Sequence, residues 1–582
     1  MQPVDFTTLI ATCSELRAQW LPARLEQVYQ RDRFTISVAL RTLKKRGWLD
    51  ISWHPQAARI CISDPPPRTP DTFTFSEQLR HQLGGLALIA IAEVSPWERV
   101  LDFQFAKRPG EQPLWHLYVE VMTKYSNVIL TTSDRLVVTC AHQVSSQQST
   151  VRQIQTGQPY ELPPSLTNPI PSLQETQARW QERISLIPGP LGRNLVKNYR
   201  GLSKALVQPM IETVGLDPQQ TTDSLSTSDW QHLFQLWQKW LQILEKLDFY
   251  PGWTATGYTV TAWGAIESVE TVQELLNRYY TQQLNQQVFS QLHHQISQKL
   301  NILTAKLQLK ADTFTERLQQ SDGADLLRSQ ADLLMAHLQE WRSGMKTISL
   351  CDFETGEPVA IKLDPEKNAV QNAQSLYKKH QKLKRARTAV EPLLAEVQAE
   401  INYLEQVEAF LSQLGSYRSP EDLQTLEEIR DELIQQGYLK APEHHHQDHR
   451  KDTEFYRYET PSGFELLVGR NNRQNDLLTF RVAGDYDLWF HTQEIPGSHV
   501  LLRLNAGGVP DEVDLQFVAD MSAFYSRARH SEMVPVIYTK PKFVYKPKGA
   551  KPGMVVYKQE QVLWGKPQGA ENYIAQLIGM EN

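Results

Sequence analysis

The chain of 582 residues has few cysteines and little excess charge of either sign. Its four cysteines, Cys13, Cys61, Cys140 and Cys351, lie too far apart in sequence to form a CxxC pair. This spacing argues against a cysteine-based zinc site and a disulfide framework, and it is typical of a reducing compartment. There are 60 basic and 66 acidic residues, a net charge of -6, so nucleic-acid binding would have to come from local patches.

Long apolar runs and nucleotide-binding motifs are also missing. The most apolar stretch, around residues 86–92, is far shorter than the roughly 20 residues that a membrane-spanning helix needs. The amino-terminal residues do not form a basic segment followed by an apolar run, so they do not predict a secretory signal. The sequence contains no GxxxxGK[ST], HExxH or GxSxG motif, and no GxGxxG after a strand. We therefore expect a cytoplasmic protein that uses no cofactor or metal, and the sequence has no signal for nucleotide hydrolysis.

The first 170 residues predict an α+β domain built on an antiparallel sheet. Between Ala23 and Ile62, short apolar runs alternate with polar residues, which is the pattern of half-buried strands. Further strands are predicted at ERVLDFQF, LWHLYVEVM, NVILTT and RLVVTC, and helices at Phe6–Trp20 and Phe75–Leu83. Residues 171–255 have helical patterns, with two glycine turns in IPGPLGRNLVKNYRGLSKALVQPMIETVG. These turns predict helix-hairpin-helix units that grip a phosphate backbone, or else a helical spacer.

Residues 265–440 predict a long antiparallel coiled-coil arm. Apolar residues recur every three or four positions in both halves, at Leu292, Ile296, Leu300, Leu303 and Leu307, and at Val390, Leu394, Val397, Ile401 and Leu404. A β-hairpin is predicted at the tip, 347–365, around Thr355-Gly356. Pro392 predicts either a kink or the start of a helix. A polar linker, 441–454, contains His444, His445, His446 and His449, and a second α+β domain is predicted at 455–582, with strands at FELLVGRNN, LLTFRVAGD, DLWFH and HVLLRL.

Two stretches carry local positive charge. The run SLYKKHQKLKRAR contains no acidic residue and has six cations, Lys378, Lys379, Lys382, Lys384, Arg385 and Arg387. Cations on a protruding helix can follow an RNA backbone, although such a run can also be a solvated helix face. From Pro535 to Lys566 there are seven lysines, among them Lys540, Lys542, Lys546 and Lys548, and one acid, Glu560. Aromatic residues between these lysines favour single-stranded or looped RNA, and the alternative is an edge strand protected by lysine.

Two smaller groups are further candidates. In DYDLWFHTQEIPGSHVLLR, Asp487, Trp489, His491 and His499 surround a predicted Pro-Gly-Ser turn. A carboxylate and two imidazoles can bind a metal, but without a third ligand we favour an RNA-binding or structural turn. In SPWERVLDFQF, Glu98 and Arg99 start a predicted strand, where they can orient one another or the arginine can fork onto phosphate.

Several long motifs resemble the NFACT family. These are GRNNRQNDLLTFRVAGDYDLWFHTQEIPGSHVLLR and VIYTKPKFVYKPKGAKPG near the end, KLDPEKNAVQNAQSLYKKHQKLKRA and EIRDELIQQGYL in the arm, and LYVEVMTKYSNVILT and GQPYELPP at the front. The resemblance covers nearly the whole chain. It implies an NFACT-N domain similar to the N-terminal domain of formamidopyrimidine DNA glycosylases, a helix-hairpin-helix region, a coiled coil and an NFACT-R RNA-binding domain.

The resemblance also implies a function in ribosome-associated quality control. Family members bind obstructed large (50S) ribosomal subunits that still carry peptidyl-tRNA, and they recruit alanyl-tRNA. The stalled chain then grows an untemplated alanine tail that marks it for degradation, and a small S4-domain protein assists. Basic residues 378–387 would meet 23S rRNA, and the two end domains would hold tRNA. The family carries an Asp-Arg pair that tailing depends on; the matching positions here are Glu98 and Arg99, so the carboxylate is one methylene longer.

Three other hypotheses remain open at the level of sequence. The protein can be a ribosome-bound or tRNA-binding sensor that does not direct tailing, because Glu98 departs from the family pair. It can be a surface adhesin, as an older family name, fibronectin-binding protein A-like, implies. It can also be a nucleic-acid repair enzyme, although that hypothesis rests on similarity of fold alone.

Overall fold

The computed structural model of the chain describes residues 1–67, 70–149, 151–164, 167–353, 355–441 and 454–581, with side chains described as far as residue 574. Most of the linker at 441–454, with its four histidines, lies outside the described residues. The chain forms two compact units, Met1–Leu284 and Asn285–Asn582. Among the described residues, no helix combines the length and apolar character that crossing a membrane requires.

The first unit is built on a nine-stranded antiparallel sheet with the order β4-β3-β2-β1-β5-β6-β7-β8-β9. Its strands are β1 Ala23–Asp32, β2 Thr35–Arg41, β3 Arg46–Ser52, β4 Arg59–Ser63, β5 Ala87–Glu93, β6 Val100–Ala106, β7 Trp115–Glu120, β8 Asn127–Thr132 and β9 Val137–Cys140. Helix α1 spans Phe6–Trp20 and α2 spans Thr74–Leu83. The antiparallel strands predicted between Ala23 and Ile62 and from Val100 onward are confirmed.

Helix α1 begins where Asp5 caps its first turn. The Asp5 carboxylate accepts a hydrogen bond from the Thr8 amide at 2.8 Å, which satisfies one of the free amides at the helix start. From there, Leu9, Cys13 and Leu16 project from one face, and each is at most 1% exposed. They join the sheet core, because residues three and four apart lie on the same side of a helix.

Four helices follow the sheet domain in the first unit. They are α3 Gln177–Ser185, α4 Leu191–Asn198, α5 Lys204–Thr213 and α6 Thr227–Lys246. Their core contains Trp180, Trp237 and Trp240, all fully buried. The turn between α4 and α5 contains Gly201, whose φ of +76° is in the left-handed region that glycine tolerates. A short three-stranded sheet, β10 Gly252–Trp253, β11 Tyr258–Thr259 and β12 Glu267–Ser268, completes this unit together with the start of α7.

The second unit contains the long helices. The elements of the arm are α7 Val272–Ser321, which begins in the first unit, α8 Ala324–Ala336, β13 Thr347–Cys351, β14 Pro358–Lys362, α9 Ala369–Leu414 and α10 Pro420–Gln435. The two predicted apolar stripes pack against each other, with Ile296 and Leu300 of α7 beside Leu404 and Val407 of α9. Pro392 lies within the continuous α9, so it does not mark a helix start. Strands β13 and β14 pair as an antiparallel hairpin.

The last part of the second unit is a six-stranded antiparallel sheet with helices against it. The strand order is β15-β16-β18-β17-β19-β22. The elements are β15 Tyr456–Glu459, β16 Glu465–Val468, α11 Asn472–Leu477, β17 Leu488–Thr492, β18 Val500–Leu502, α12 Glu512–Phe524, β19 Val534–Thr539, β20 Val544–Tyr545, β21 Val556–Tyr557, β22 Gln561–Gly565 and α13 Pro567–Glu581.

One predicted strand in this domain is wrong. Most of the segment LLTFRVAGD is helical: α11 ends at Leu477, and a π-helical turn, Leu478–Val482, follows it. Asn471 caps α11 by accepting a hydrogen bond from the Gln474 amide at 2.9 Å. The Trp489 indole then donates to Thr479 at 3.0 Å, which ties the π-helical turn to the sheet. Capping and tertiary contacts therefore override the strand preference of the β-branched and aromatic residues.

A buried carboxylate joins the long helices to this last domain. Glu432 of α10 is 2% exposed and accepts hydrogen bonds from the Tyr403 hydroxyl at 2.6 Å and from the Asn472 side-chain amide at 3.0 Å. Burial raises the pKa of Glu432 above its usual value, and the two hydrogen bonds oppose this rise. One side chain thus connects α9, α10 and α11.

Two glycines with the same backbone angle allow the packing at Gly201 to be tested. Gly201 and Gly215 both have a φ of +76°. A Cβ added at Gly201 would lie 2.5 Å from the Trp97 ring, whereas a Cβ added at Gly215 would have no neighbouring atom within 4 Å. We expect Gly215→Ala to lower the free energy of unfolding by about 1 kcal/mol from backbone strain alone. Gly201→Ala should cost about 2–4 kcal/mol, because overpacking adds to the strain.

The measurement is the urea midpoint of the full-length chain carrying each single substitution. Equal midpoints for the two variants would contradict the close packing of Trp97 against the α4–α5 turn.

Candidate nucleic-acid interfaces

The predicted lysines of the last domain lie on one exposed segment, residues 540–558, which we call the lysine loop. It leaves β19, makes a short 3-10 turn and continues as the two-stranded β20–β21 ribbon. Tyr545 is 47% exposed, and the Lys558 ammonium lies 5.7 Å from its ring centre. The side chains of the four predicted lysines, Lys540, Lys542, Lys546 and Lys548, are all exposed. Cations beside accessible rings form a surface suited to unpaired RNA.

Contacts from Lys546, Lys551 and Gly553 hold the lysine loop against α9, α11 and Tyr438, which follows α10. Lys546 forms an ion pair with Asp476 of α11, and the Gly553 amide donates to the same carboxylate at 3.1 Å. Lys551 donates to the Tyr438 hydroxyl at 2.5 Å and lies 5.1 Å from the centre of the Tyr403 ring. The lysine loop is therefore held in place from Lys546 to Gly553.

Three other predicted residues of this domain are buried. Trp489 and His499 are 0% exposed and Asp487 is 2% exposed. Asp487 accepts hydrogen bonds from the Gly484 amide at 2.8 Å and the Leu504 amide at 2.9 Å, and pairs with Arg503 at 3.3 Å. The side chains of Asp487, Trp489 and His499 are thus covered, and they support the fold of the surface rather than form part of it.

The rings of His491 and His499 pack edge to face beside the Pro-Gly-Ser turn. The His491 and His499 ring centres are 5.4 Å apart, and the planes are perpendicular. Burial lowers the pKa of His491 to about 4 and lowers that of His499 well below its usual value. Both imidazoles are therefore neutral at physiological pH.

The Pro-Gly-Ser turn is clamped by α9. The Gly497 amide donates to the Gln406 side-chain oxygen at 3.1 Å, and the Gln406 amide group donates to the Gly497 carbonyl. A Cβ at Gly497 would lie 2.9 Å from Ser526, so the turn needs glycine for close approach. The arrangement agrees with the structural-turn interpretation of this segment.

The six cations of the arm lie on exposed positions of α9 and point in two directions. Lys378, Lys382 and Arg385 are three or four residues apart, so they share one helix face, which we call the arm cation face. The opposite face packs against α8 and the β13–β14 hairpin through Ala373 and Leu376. Lys379 lies next to the arm cation face, whereas Lys384 lies away from it. Arg387 is engaged with Glu391 at 2.8 Å and Asp322 at 3.4 Å.

Glu98 and Arg99 lie just before β6, and each has its own partner. The Glu98 carboxylate pairs with Arg200 at 3.5 Å, and the two side chains are 13% and 15% exposed. Arg99 donates to the Val4 carbonyl at 3.1 Å. Burial lowers the pKa of Arg99 below its usual value, while the negative charges of Asp5 and Glu98 oppose this effect. The pair thus connects the sheet domain to the helical turn at Gly201.

Sequence reasoning missed two of these partners. Arg200 is 102 positions from Glu98, and Gln406 is 91 positions from Gly497. Arg200 does stand beside the predicted glycine turn, which is a weak signal for a functional position. No local pattern singles out Gln406, because glutamine is frequent throughout the arm.

Two family models together match most of the chain. The model described as NFACT N-terminal and middle domains matches residues 5–452, and the NFACT protein RNA binding domain matches residues 454–559. Among named relatives, the chain is 29% identical to the Rqc2 homolog RqcH of Bacillus subtilis (strain 168) over 569 residues, which cover 95% of this chain and 96% of that protein. It is 28% identical to the Rqc2 homolog RqcH of Streptococcus suis (strain 05ZYH33), covering 94% and 95%.

Among solved structures, the C-terminal part of the fibronectin/fibrinogen-binding protein from Streptococcus suis is 32% identical to this chain. The alignment covers 48% of this chain and 95% of that structure, with a TM-score of 0.38.

The neutral histidines predict a dependence of stability on pH. An unfolded histidine takes up a proton near pH 6.5, whereas folded His491 resists protonation until about pH 4. Between these values the unfolded state binds more protons, so stability is lost as the pH falls. We expect the loss due to His491 to reach up to about 3 kcal/mol by pH 4. The measurement is the urea midpoint followed by near-ultraviolet circular dichroism at each pH.

His491→Gln is the matched variant, because it keeps a polar side chain that does not titrate. The decline between pH 6.5 and 4 should be shallower in this variant, while the contribution of the carboxylates is the same in both proteins. Identical pH profiles would contradict a depressed His491 pKa.

Proposed function

This chain belongs to the NFACT family, and on that premise we propose that it acts in ribosome-associated quality control in the cytoplasm. In this proposal it binds obstructed 50S subunits that carry peptidyl-tRNA and recruits alanyl-tRNA to them. The stalled chain then receives an untemplated C-terminal alanine tail, which marks it for degradation. The ribosome forms the peptide bonds, so the protein acts as an elongation-type factor, assisted by a small S4-domain protein.

The observation that carries this proposal is the lysine loop on the family's RNA-binding domain. The chain as a whole is acidic, with a net charge of -6, yet residues 535–566 carry seven lysines and one acid. Each lysine that meets a phosphate releases counterions, which supplies affinity for RNA of any sequence.

The arm cation face supports a second contact with ribosomal RNA. It lies on the part of α9 that precedes Pro392, near α8 and the β13–β14 hairpin. The lysine loop lies against α11, which Glu432 joins to the later part of α9. We propose that the arm cation face contacts 23S rRNA, and that the two end domains hold tRNA. Similarity of the first domain to DNA glycosylases stays a prediction.

A sensor without tailing is the second candidate function, and Glu98 favours it. The family pair has aspartate where this chain has Glu98, whose carboxylate is engaged with Arg200 at 3.5 Å. A carboxylate committed to an internal ion pair is less available to tRNA. Glu98→Asp shortens the side chain and should release Arg200. Alanine tailing that rises in this variant would favour the sensor for the natural protein.

Purification of the tagged protein from cells, followed by sequencing of the bound RNA, tests the proposal. We expect large-subunit rRNA with strong enrichment of alanine tRNA. Arg99→Ala should deplete the tRNA at least several-fold and leave the rRNA bound, because Arg99 belongs to the first unit and the arm cation face belongs to the second. Arg108→Ala is the control, since Arg108 is an exposed arginine at the other end of β6.

Each outcome of this purification separates the hypotheses. Bound rRNA without enriched tRNA would support the sensor. Absence of RNA would overturn the ribosomal proposal and is the result that the adhesin hypothesis expects.

If the arm cation face contacts rRNA, the affinity for 50S subunits should depend on salt through its lysines. Lys378→Gln with Lys382→Gln should weaken binding to purified 50S subunits, because two phosphate contacts are lost. The slope of log affinity against log salt should become shallower by about 1.4–1.8, at about 0.7–0.9 per contact. Co-sedimentation at increasing salt measures this slope.

Lys384→Gln with Arg387→Gln removes the same charge from positions outside the arm cation face. This control should change the slope less. Equal effects from the two pairs would show that only the total charge of α9 matters, and would contradict a specific contact.

A further inference from the structure

A cleft of about 450 Å³ lies beside α11 in the last domain. Its volume falls within the range of roughly 300–1,000 Å³ that ligand pockets occupy. The walls include the side chains of Arg473, Asp476, Leu477, Phe480, Arg481 and Lys546. Glu428 and Gln474 also line the cleft, which therefore has two apolar side chains, three cations and two acids.

Phe480 presents an accessible aromatic side chain in this cleft. It is 39% exposed, and Leu477 beside it is 37% exposed. Phe480 sits in the π-helical turn Leu478–Val482, and such turns occur frequently at functional sites. Single exposed apolar residues are common on proteins, so the exposure of Phe480 is informative only together with its surroundings.

The backbone that carries Phe480 is fixed on both sides. Leu478 is 0% exposed and Thr479 is 4% exposed. The Thr479 hydroxyl oxygen accepts from the Trp489 indole at 3.0 Å and lies 2.7 Å from the His499 Nδ1 atom. On the other side, Arg503 donates to the Val482 carbonyl at 2.6 Å. An aromatic ring on a fixed backbone loses little entropy when a flat ligand stacks on it.

The charges around Phe480 favour an anionic ligand. Asp476 is paired with Lys546, so this carboxylate holds the lysine at the cleft wall and is largely neutralised. With Glu428 as the second acid, three cations face two carboxylates, so the lining keeps a net positive charge, and Arg473 and Arg481 are its exposed guanidinium groups. Through Lys546, the cleft is continuous with the lysine loop. A flat apolar surface flanked by guanidinium groups matches a nucleobase whose neighbouring phosphates lie on either side.

We propose that this cleft binds one unpaired RNA nucleobase, stacked on Phe480, with Arg473 and Arg481 on the flanking phosphates. The site is selective for unpaired RNA, because the face of a base within a duplex is covered by its neighbours. This inference rests on RNA binding by the domain, which is part of the proposed function.

The test compares single-stranded and duplex RNA. The probes are a fluorescein-labelled 12-nucleotide RNA of mixed sequence and the same strand annealed to its complement, with binding to the full-length chain followed by fluorescence anisotropy. Phe480→Ala should weaken the Kd for the single strand roughly 5- to 150-fold, as expected for the loss of one stacked base. The duplex Kd should change by less than about 2-fold.

Matched variants separate stacking from other effects. Phe480→Trp keeps an aromatic ring and should retain tight single-strand binding. Tyr486→Ala removes an aromatic side chain that is 61% exposed and does not line the cleft, so it should leave both Kd values unchanged. Lys542→Gln with Lys548→Gln should weaken both probes, because these residues meet phosphates in either form.

Cross-linking provides a readout that does not depend on any variant. A 12-nucleotide RNA with 5-iodouridine should cross-link to the natural chain under ultraviolet light at a peptide containing residue 480. This result decides the matter if Phe480→Ala fails to fold.

The failures of the two proposals are distinguishable. Unchanged single-strand affinity in Phe480→Ala, with weaker binding in the lysine variant, would overturn the cleft and leave the proposed function standing. Cross-links confined to the lysine loop would also overturn the cleft. If neither the single-stranded nor the duplex RNA binds the natural chain, both the cleft proposal and RNA binding by this domain are overturned.

Discussion

The surface of the second unit depends on how a single helix, α9, is rotated about its axis. Over its 46 residues, α9 packs first on α8 and the β13–β14 hairpin, then on α7, and finally on the Pro-Gly-Ser turn. An α-helix repeats every 3.6 residues, so these partners fix which side chains remain outside. Lys378, Lys382 and Arg385 are exposed because the opposite side is occupied by Leu376 and its neighbours. Because α9 continues through Pro392, the same rotational orientation is kept along the whole helix.

Much of the fold could be predicted from local patterns. The alternating strands from Ala23 to Ile62 and the apolar stripes of α7 and α9 are strong periodic signals, and both pack as expected. The segment LLTFRVAGD could not be predicted in the same way, because its residues favour a strand. Its helical form depends on the Asn471 cap and on Trp489, which lies beyond the segment. A preference read over a few residues does not include such partners.

The candidate site residues also fall into those that local sequence could predict and those that depend on tertiary structure. Exposed lysines could be identified from composition, since local charge does not depend on tertiary structure. Buried members such as Trp489 and His499 could not be separated from surface residues before the sheet was known. The partner of Glu98 could not be predicted from sequence either, because Arg200 comes close only when the helical turn at Gly201 packs on Trp97. Phe480 was hidden by the strand prediction itself.

The buried carboxylate of Glu432 has a mechanical consequence. Together with the paired amides of Gln406 and Gly497, it fastens α9 to the RNA-binding domain near residues 403–406. From Gln406 to Lys382 the helix extends roughly 36 Å, at 1.5 Å per residue. A tilt of about 5° at the fastening would therefore displace Lys382 by about 3 Å, comparable to the length of a hydrogen bond. The arm would therefore act as a lever, because a small rotation at the fastening moves the arm cation face by several ångströms.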